Sequence, residues 1–122
     1  MEYELDIRDR IVLVQIFATA PKLGSYLYYK ELARVGSEVS IPDEEQKAIG
    51  WKVEKDEQGN VQGLKWDDKK AGGKTVEMPE CIESMVVDAL KRLDKQEKLM
   101  PEHIPVYEKF VLPWEERHGP EV

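Results

Sequence analysis

Residues 51–66 read WKVEKDEQGNVQGLKW, and this stretch separates two parts of the chain that have helical patterns. Apolar and charged residues alternate at both of its ends, and Gly59-Asn60 stands between them as a turn signal. A period of two is typical of strands, so two such runs around a glycine turn predict a β-hairpin. We expect Trp51 and Trp66, at the outer ends, to face each other across the two strands.

On both sides of the hairpin, apolar residues recur with the three-and-four spacing of amphipathic helices. Asp6 is a suitable N-cap, and Ser40 and Asp43 have the spacing of a capping box. Gly36 and Gly50 are suited to end helices. The patterns predict helices over 6–18, 25–36, 40–49 and 79–98, a short strand over 75–78, and a short, irregular helix after residue 101.

Together these elements predict an α+β fold, a mainly helical single domain with a central β-hairpin. We assign residues 1–112 to this domain, because the chain length of 122 residues fits one hydrophobic core. Residues 113–122 lack apolar periodicity and are predicted to form a loosely ordered C-terminal tail. Three helices followed by a hairpin is also the order of elements in a winged helix, whose third helix enters the DNA major groove.

The charge of the chain disfavours binding to nucleic acids. It has 25 acidic and 18 basic residues, a formal charge of −7, and this excess repels phosphate backbones. Residues 40–57, which hold the third helix and the first hairpin strand, contain six acids and three bases, so their local charge is −3. This is the wrong sign for a helix that would lie in a DNA groove.

The sequence predicts a cytoplasmic protein with no membrane segment. No run approaches the roughly 18 to 20 apolar residues that span a bilayer, and the first residues are acidic where a secretory signal is basic. Cys81 is the only cysteine, so no disulfide can form within the chain. This favours a reducing compartment.

The motifs of catalytic, cofactor and metal sites are not found in the sequence. His103 and His118 have no accompanying cysteines and do not fit a zinc spacing. The GGKT run at 72–75 ends like a phosphate-binding loop, but it lacks a strand before it and a helix directly after it. We therefore predict a non-enzymatic protein with no catalytic, cofactor-binding or metal-ligating residues and infer no small-molecule substrate.

Four aromatic residues form the candidate partner surface. Tyr26 and Tyr29 lie off the face of the second helix that we expect to be buried, which includes Leu27. Tyr107 and Trp114 lie in the last helix and just after it. Aromatic side chains that are exposed together are typical of protein interfaces. We therefore predict Tyr26, Tyr29, Tyr107 and Trp114 as a surface for a protein partner or for self-association.

The run ALKRLDKQEKL at 89–99, followed by YEKF at 107–110, resembles the C-terminal part of small uncharacterised phage and prophage proteins. RDRIVL at 8–13 and the tyrosine-rich second helix are similar to their N-terminal part. The resemblance implies a viral or integrated-viral origin and a location in the host cytoplasm, and it implies no activity. The chain differs from these proteins at Pro105 and in its longer tail.

Three functional hypotheses follow. The first is a phage-type protein-protein interaction module, which forms a homodimer or binds a partner whose identity the sequence does not give. The second is a winged-helix-like nucleic-acid-binding protein, which the element order favours and the charge opposes. The third is an acidic decoy that mimics DNA, which requires carboxylates in regular rows at the spacing of phosphates.

Overall fold

A computed structural model describes residues 1–21, 24–67 and 72–119, except for the side chains of Gln62 and Leu64. The chain is an α+β domain that is mainly helical and has a central hairpin, as predicted. In the described part, no helix is long and apolar enough to cross a bilayer. The elements in chain order are β1 (Glu2–Leu5), α1 (Ile7–Ala18), α2 (Tyr26–Val39), α3 (Asp43–Ala48), β2 (Lys52–Lys55), β3 (Val61–Lys65), β4 (Lys74–Glu77), α4 (Glu80–Lys95) and α5 (His103–His118).

The strands β1 and β4 form a small antiparallel sheet. Tyr3 pairs with Val76 and both side chains are buried, whereas Glu2 and Glu4 on the opposite face are exposed. This alternation is that of a strand with one face towards the core. The strand predicted over 75–78 is present as β4. It pairs with β1, which the sequence alone does not predict, and not with the hairpin.

The hydrophobic core is centred on α4. Ile82, Val86 and Leu90 are fully buried on this helix, which packs against α5, α1 and α2. Their spacing of four residues puts them on one helical face, so the predicted amphipathic helix is confirmed. It ends at Lys95, a few residues earlier than predicted, because Glu97 takes a left-handed φ of 56°.

The helices α1 and α2 begin at side-chain caps. The Asp6 carboxylate accepts a hydrogen bond from the backbone N–H of Asp9 at 2.8 Å, and the Asp9 carboxylate accepts one from the Asp6 N–H at 3.2 Å. The Ser25 hydroxyl accepts one from the N–H of Tyr28 at 3.1 Å. Each cap satisfies a donor that the helix itself leaves without a partner. Both starts are as predicted.

The end predicted for α2 at Gly36 is wrong, because the helix continues to Val39. Gly36 lies where α2 approaches α1, and a Cβ added there would stand 3.4 Å from Cδ2 of Phe17. This is an ordinary van der Waals distance, so the glycine lies inside the helix without ending it, and the packing against α1 would accept a Cβ there. The helix is closed by Ser40, whose hydroxyl donates to the carbonyl of Ser37 at 2.7 Å.

The capping box predicted for α3 is also wrong. Ser40 belongs to the end of α2, and α3 begins after Pro42 without a side-chain cap. Proline supplies the extended backbone that precedes a helix, so the short helix still starts at Asp43. Its end is as predicted, with Gly50 at a φ of 70°.

The last helix, α5, is longer than predicted. It runs for 16 residues to His118, so residues 113–118 are helical and the predicted loose tail is wrong for them; residues 120–122 lie outside the described part. Pro105 is tolerated because it lies in the first turn, where its missing N–H costs no bond within the helix. Phe110 and Val111 are fully buried and hold the helix on the core across Pro113.

The strands β2 and β3 form the predicted hairpin as a separate two-stranded sheet. The rings of Trp51 and Trp66 stack with centroids 5.9 Å apart, which confirms the predicted pairing. At the turn, the Asp56 carboxylate accepts hydrogen bonds from the N–H groups of Gln58 and Asn60, both at 2.9 Å. The stacked tryptophan rings thus hold the two strands together at their outer ends, and the Asp56 side chain stabilises the turn.

Candidate functional site

The first two turns of α2 present three large apolar side chains to solvent. Tyr26 is 83% exposed, Leu27 59% and Tyr29 42%, and we call these three residues the α2 patch. The buried residues of the helix are Val35 and Val39, so its C-terminal half anchors it to the core. Two predicted residues lie in this patch. The prediction that Leu27 is buried is wrong, because in the first turn of α2 the side chain that packs against the core is that of Tyr28.

Tyr28 fixes the α2 patch to the body of the protein. Its hydroxyl donates a hydrogen bond to the carbonyl of Pro21 at 2.9 Å. Its ring meets the ring of Tyr29 edge to face, with centroids 5.6 Å apart. Burial raises the pKa of the Tyr28 phenol, which keeps the hydroxyl a donor. The patch is therefore carried on a helix whose start is tied to the segment after α1.

The other two predicted residues, Tyr107 and Trp114, lie seven positions apart on α5. Both are half-buried and pack against the core. The Trp114 ring stacks on His118 at 3.9 Å between ring centres, and the Arg117 guanidinium lies 5.7 Å from it. The helix α2 packs on α1, α4 and β4, and α5 packs on α4 and α1. The predicted surface is therefore divided into two pairs of residues that lie on two different helices.

A buried carboxylate joins β1, α4 and α5. Glu83 is 2% exposed and accepts hydrogen bonds from the Tyr3 hydroxyl at 2.7 Å and from Nη2 of Arg117 at 2.6 Å. Burial acts to raise the pKa of Glu83, but these two hydrogen bonds and the charge of Arg117 outweigh it, so the pKa lies below its ordinary value. Burial and the neighbouring carboxylate raise the pKa of Tyr3. The phenol therefore stays a donor to a charged acceptor.

A second buried charge, Arg10, joins α1 to the end of α2 and to α3. Its Nε donates to the carbonyl of Val39 at 3.2 Å, and its Nη2 donates to Glu45 at 2.9 Å and to the carbonyl of Ser40. The hydrogen bond from Arg10 lowers the pKa of Glu45 below its ordinary value. The Glu45 carboxylate therefore stays charged at neutral pH, and the pair fixes the position of α3.

The exposed charge of α3 remains acidic once this internal pair is set aside. Asp43 and Glu44 are exposed in its first turn, and Lys47 is its one basic residue. A phosphate backbone that approached this end would meet two carboxylates before it met a cation. The geometry of α3 thus agrees with the sign of the local charge derived from the sequence.

Two clefts open on the described surface. One, of about 270 Å³, lies between α1, α2 and α4, and Cys81, Tyr28 and Met85 contribute to its lining. The other, of about 680 Å³, lies between α1, β3 and the start of α5. In this second cleft the Arg8 guanidinium lies 5.8 Å from the ring centre of Trp66, within the range of a cation–π contact.

Among the described residues, polar side chains form no metal-binding cluster, and those that are buried are paired. The part of the chain that the structure describes contains no group of three or more His, Cys, Asp or Glu side chains that could hold a metal ion. In the same part of the chain, every buried side-chain nitrogen or oxygen has a hydrogen-bond partner.

No protein-family model, no curated protein and no solved structure matches this chain.

Proposed function

We propose that the protein is a non-enzymatic interaction module that binds another protein through the α2 patch. The observation that carries this proposal is the exposure of Tyr26, Leu27 and Tyr29 on a helix whose other end is buried. Tyrosines are among the residues that contribute most to binding energy at protein interfaces. A phage-type origin and a cytoplasmic location are part of the proposal and are supported by the sequence resemblance and by the single cysteine.

The shape of the α2 patch suits a partner that carries a hydrophobic groove. Tyr26, Tyr29 and Ala33 lie at positions i, i+3 and i+7, the spacing by which a helix docks into such a groove. The helix is already formed and is capped by Ser25, so binding would order little additional backbone. Lys30 is exposed between these positions, and an acidic rim on the partner would complement it.

The other two hypotheses have weaker support. Nucleic-acid binding keeps the order of elements in its favour, but α3 presents Asp43 and Glu44 to the phosphates. A decoy that mimics DNA needs rows of carboxylates. The sheet of β1 and β4 places Glu2 opposite Glu77, and both are exposed, but this is one pair and not a row.

The test is affinity capture from the lysate of a bacterial host, with wild type and a Tyr26→Ser/Leu27→Ser variant. Because both side chains are mostly exposed, the variant should keep its free energy of unfolding to within about 0.5 kcal/mol. We expect it to retain at most about a tenth of the protein that wild type captures. A Met100→Ser variant is the matched control, since Met100 is 53% exposed outside the patch.

Two results would contradict the proposal. Equal capture by wild type and by the α2 patch variant would show that the patch is not the partner surface. Recovery of nucleic acid, lost as the salt concentration rises, would support the winged-helix-like alternative instead.

A further inference from the structure

A second surface, the outer edge of β2, has properties that the α2 patch does not explain. All four residues of β2, Lys52–Lys55, are exposed, and within the described structure β2 pairs only with β3. A two-stranded hairpin is marginally stable when it stands alone, and an open strand edge is a template for another strand. The hairpin would therefore gain stability from a further strand, and its open edge has the geometry to pair with one.

Two apolar residues of the hairpin are also incompletely covered. Val53 is 45% exposed and Val61 64%, although alternation of apolar and charged residues is typical of a strand with one buried face. The stacked pair of Trp51 and Trp66 covers only the base of the hairpin. Surface that the sequence pattern marks for burial thus remains open to solvent.

The charges of β2 are complementary to those of the same strand run in the opposite direction. If two β2 strands pair antiparallel about Val53, each Lys52 faces Glu54 of the second copy, and the two ion pairs are related by the twofold axis. A shift by one residue brings Lys52 opposite Lys55 of the second copy. A shift by two brings the two Glu54 side chains together and leaves Lys52 facing Asp56, whose carboxylate already accepts two hydrogen bonds in the turn. One register is therefore favoured over its neighbours, since like charges opposite each other destabilise a sheet.

The charges around Lys52 and Glu54 leave both residues able to form these ion pairs. Among the described residues, none forms an ion pair with Lys52. The Glu54 carboxylate lies 2.8 Å from Nζ of Lys65, but both side chains are largely exposed, and a carboxylate can accept from two cations. The hairpin as a whole holds three lysines and three acids, a net charge of zero in a chain of −7. Two acidic chains would meet here with little repulsion.

We propose that two copies of this chain associate through β2, in antiparallel register about Val53, to form a four-stranded sheet in the order β3-β2-β2-β3. The occupant of the open edge is thus a second copy and not a foreign strand. A twofold contact of this kind uses the same surface on both subunits. The α2 patch lies on another element and stays available to a different protein, so this assembly does not depend on the proposed function.

The test uses variants that are incompatible with themselves and compatible with each other. Lys52→Glu puts two pairs of carboxylates face to face in the proposed dimer, and Glu54→Lys puts two pairs of ammonium groups face to face. Mixed in equal amounts, the two variants restore both ion pairs, because the new carboxylate of one faces the new ammonium of the other. A role of these exposed side chains in folding alone would not produce such a rescue.

We expect sedimentation at low salt, over a hundredfold range of concentration, to show a dimer for wild type. Each single variant should dimerise more weakly by about tenfold or more, and their mixture should recover the dimer. Lys98→Glu makes the same change of charge at an exposed position outside the hairpin and should behave as wild type. Circular dichroism checks that every variant is folded.

Wild type that stays monomeric throughout would overturn the proposal and would show that the lysines of β2 protect the edge from pairing. Single variants that dimerise like wild type, or a mixture that stays monomeric, would overturn it as well. Leu27→Ser separates the two surfaces. If it dissociates the dimer while the β2 variants do not, the copies meet through the α2 patch and the β2 proposal is wrong.

Discussion

Replacing Glu83 with glutamine should destabilise the fold more than any surface substitution of similar size. The amide keeps the shape of the carboxylate but loses its charge, and its NH2 group cannot accept a hydrogen bond. The carboxylate accepts from the Tyr3 hydroxyl and from Nη2 of Arg117. Both donors meet the same oxygen, Oε2, so a glutamine with its amide oxygen there keeps both hydrogen bonds but loses the charge that strengthens them. Its NH2 group then stands at the position of Oε1, which lies 3.6 Å from the N-terminal ammonium.

The size of the effect follows from the burial of the three groups. A hydrogen bond to a charged group contributes about 1.5–3 kcal/mol, and the bond from Tyr3 is of this kind. The Arg117 side chain is 37% exposed, so its pair with Glu83 adds only about 1 kcal/mol. Because a neutral hydrogen bond still contributes about 0.5–1.5 kcal/mol, we expect a loss of about 2 kcal/mol, which lowers Tm by about 8 °C in a chain of this length.

The pH dependence gives an independent signature. The pKa of Glu83 is lower in the folded protein than its ordinary value, so the folded state is stabilised when the carboxylate is charged. This contribution is complete above the pKa of the unfolded chain, about 4.3, and is lost as the pH falls through the folded value. Glu83→Gln should therefore lose part of the acid sensitivity of wild type.

Urea unfolding at neutral pH measures the loss, and Tyr3→Phe serves as the partner variant in a double-mutant cycle. Phenylalanine keeps the ring that stacks on Phe110 at 4.1 Å and removes only the hydroxyl. We expect the two substitutions to couple by about 1 kcal/mol or more. A loss below about 1 kcal/mol for Glu83→Gln, with no coupling to Tyr3, would refute this account of the buried carboxylate.

Three further predictions concern other parts of the molecule. Arg10→Met should lower the free energy of unfolding by about 3–5 kcal/mol, because it leaves two carbonyls and a carboxylate without their donor. The exposed control Arg34→Ala should lower it by less than about 1 kcal/mol, and urea unfolding measures both changes. Gly36→Ala should be neutral or stabilise by up to about 1 kcal/mol, while Gly50→Ala, at positive φ, should destabilise by about 1 kcal/mol; thermal unfolding distinguishes the two signs. A gel shift at about 50 mM salt should show no binding to duplex DNA, and a shifted band there would favour the winged-helix-like alternative.

Elements whose formation depends only on the nearby sequence were predicted correctly. The apolar stripe of α4 and the cap at Asp6 need no distant partner, and both are present. The strand β1 could not be predicted in this way, because four residues become a strand only when they pair with β4, 69 to 75 residues away. At Pro113 the rule for isolated helices misled, since burial of Phe110 outweighs the missing backbone bond. At Pro105 no such bond is lost, because this proline lies in the first turn of α5.

The candidate site could likewise be predicted only in part from the sequence. The tyrosines of the α2 patch could be identified because their positions fall off the apolar face of the helix. The exposure of Leu27 could not, since it depends on which side of the first turn of α2 faces the core. The cluster around Glu83 joins residues that are 34 and 80 positions apart, so its members look like ordinary surface residues in the sequence.

The central claim, that the α2 patch binds a protein, is tested most directly by photo-crosslinking. A photoreactive phenylalanine analogue is placed at Tyr26 or, as an exposed control outside the α2 patch, at Met100, and the protein is irradiated in a host lysate. We predict one defined adduct from Tyr26 that is lost when Leu27→Ser is added, and none of the same mass from Met100. Identical adducts from both positions, or none from Tyr26, would contradict the claim.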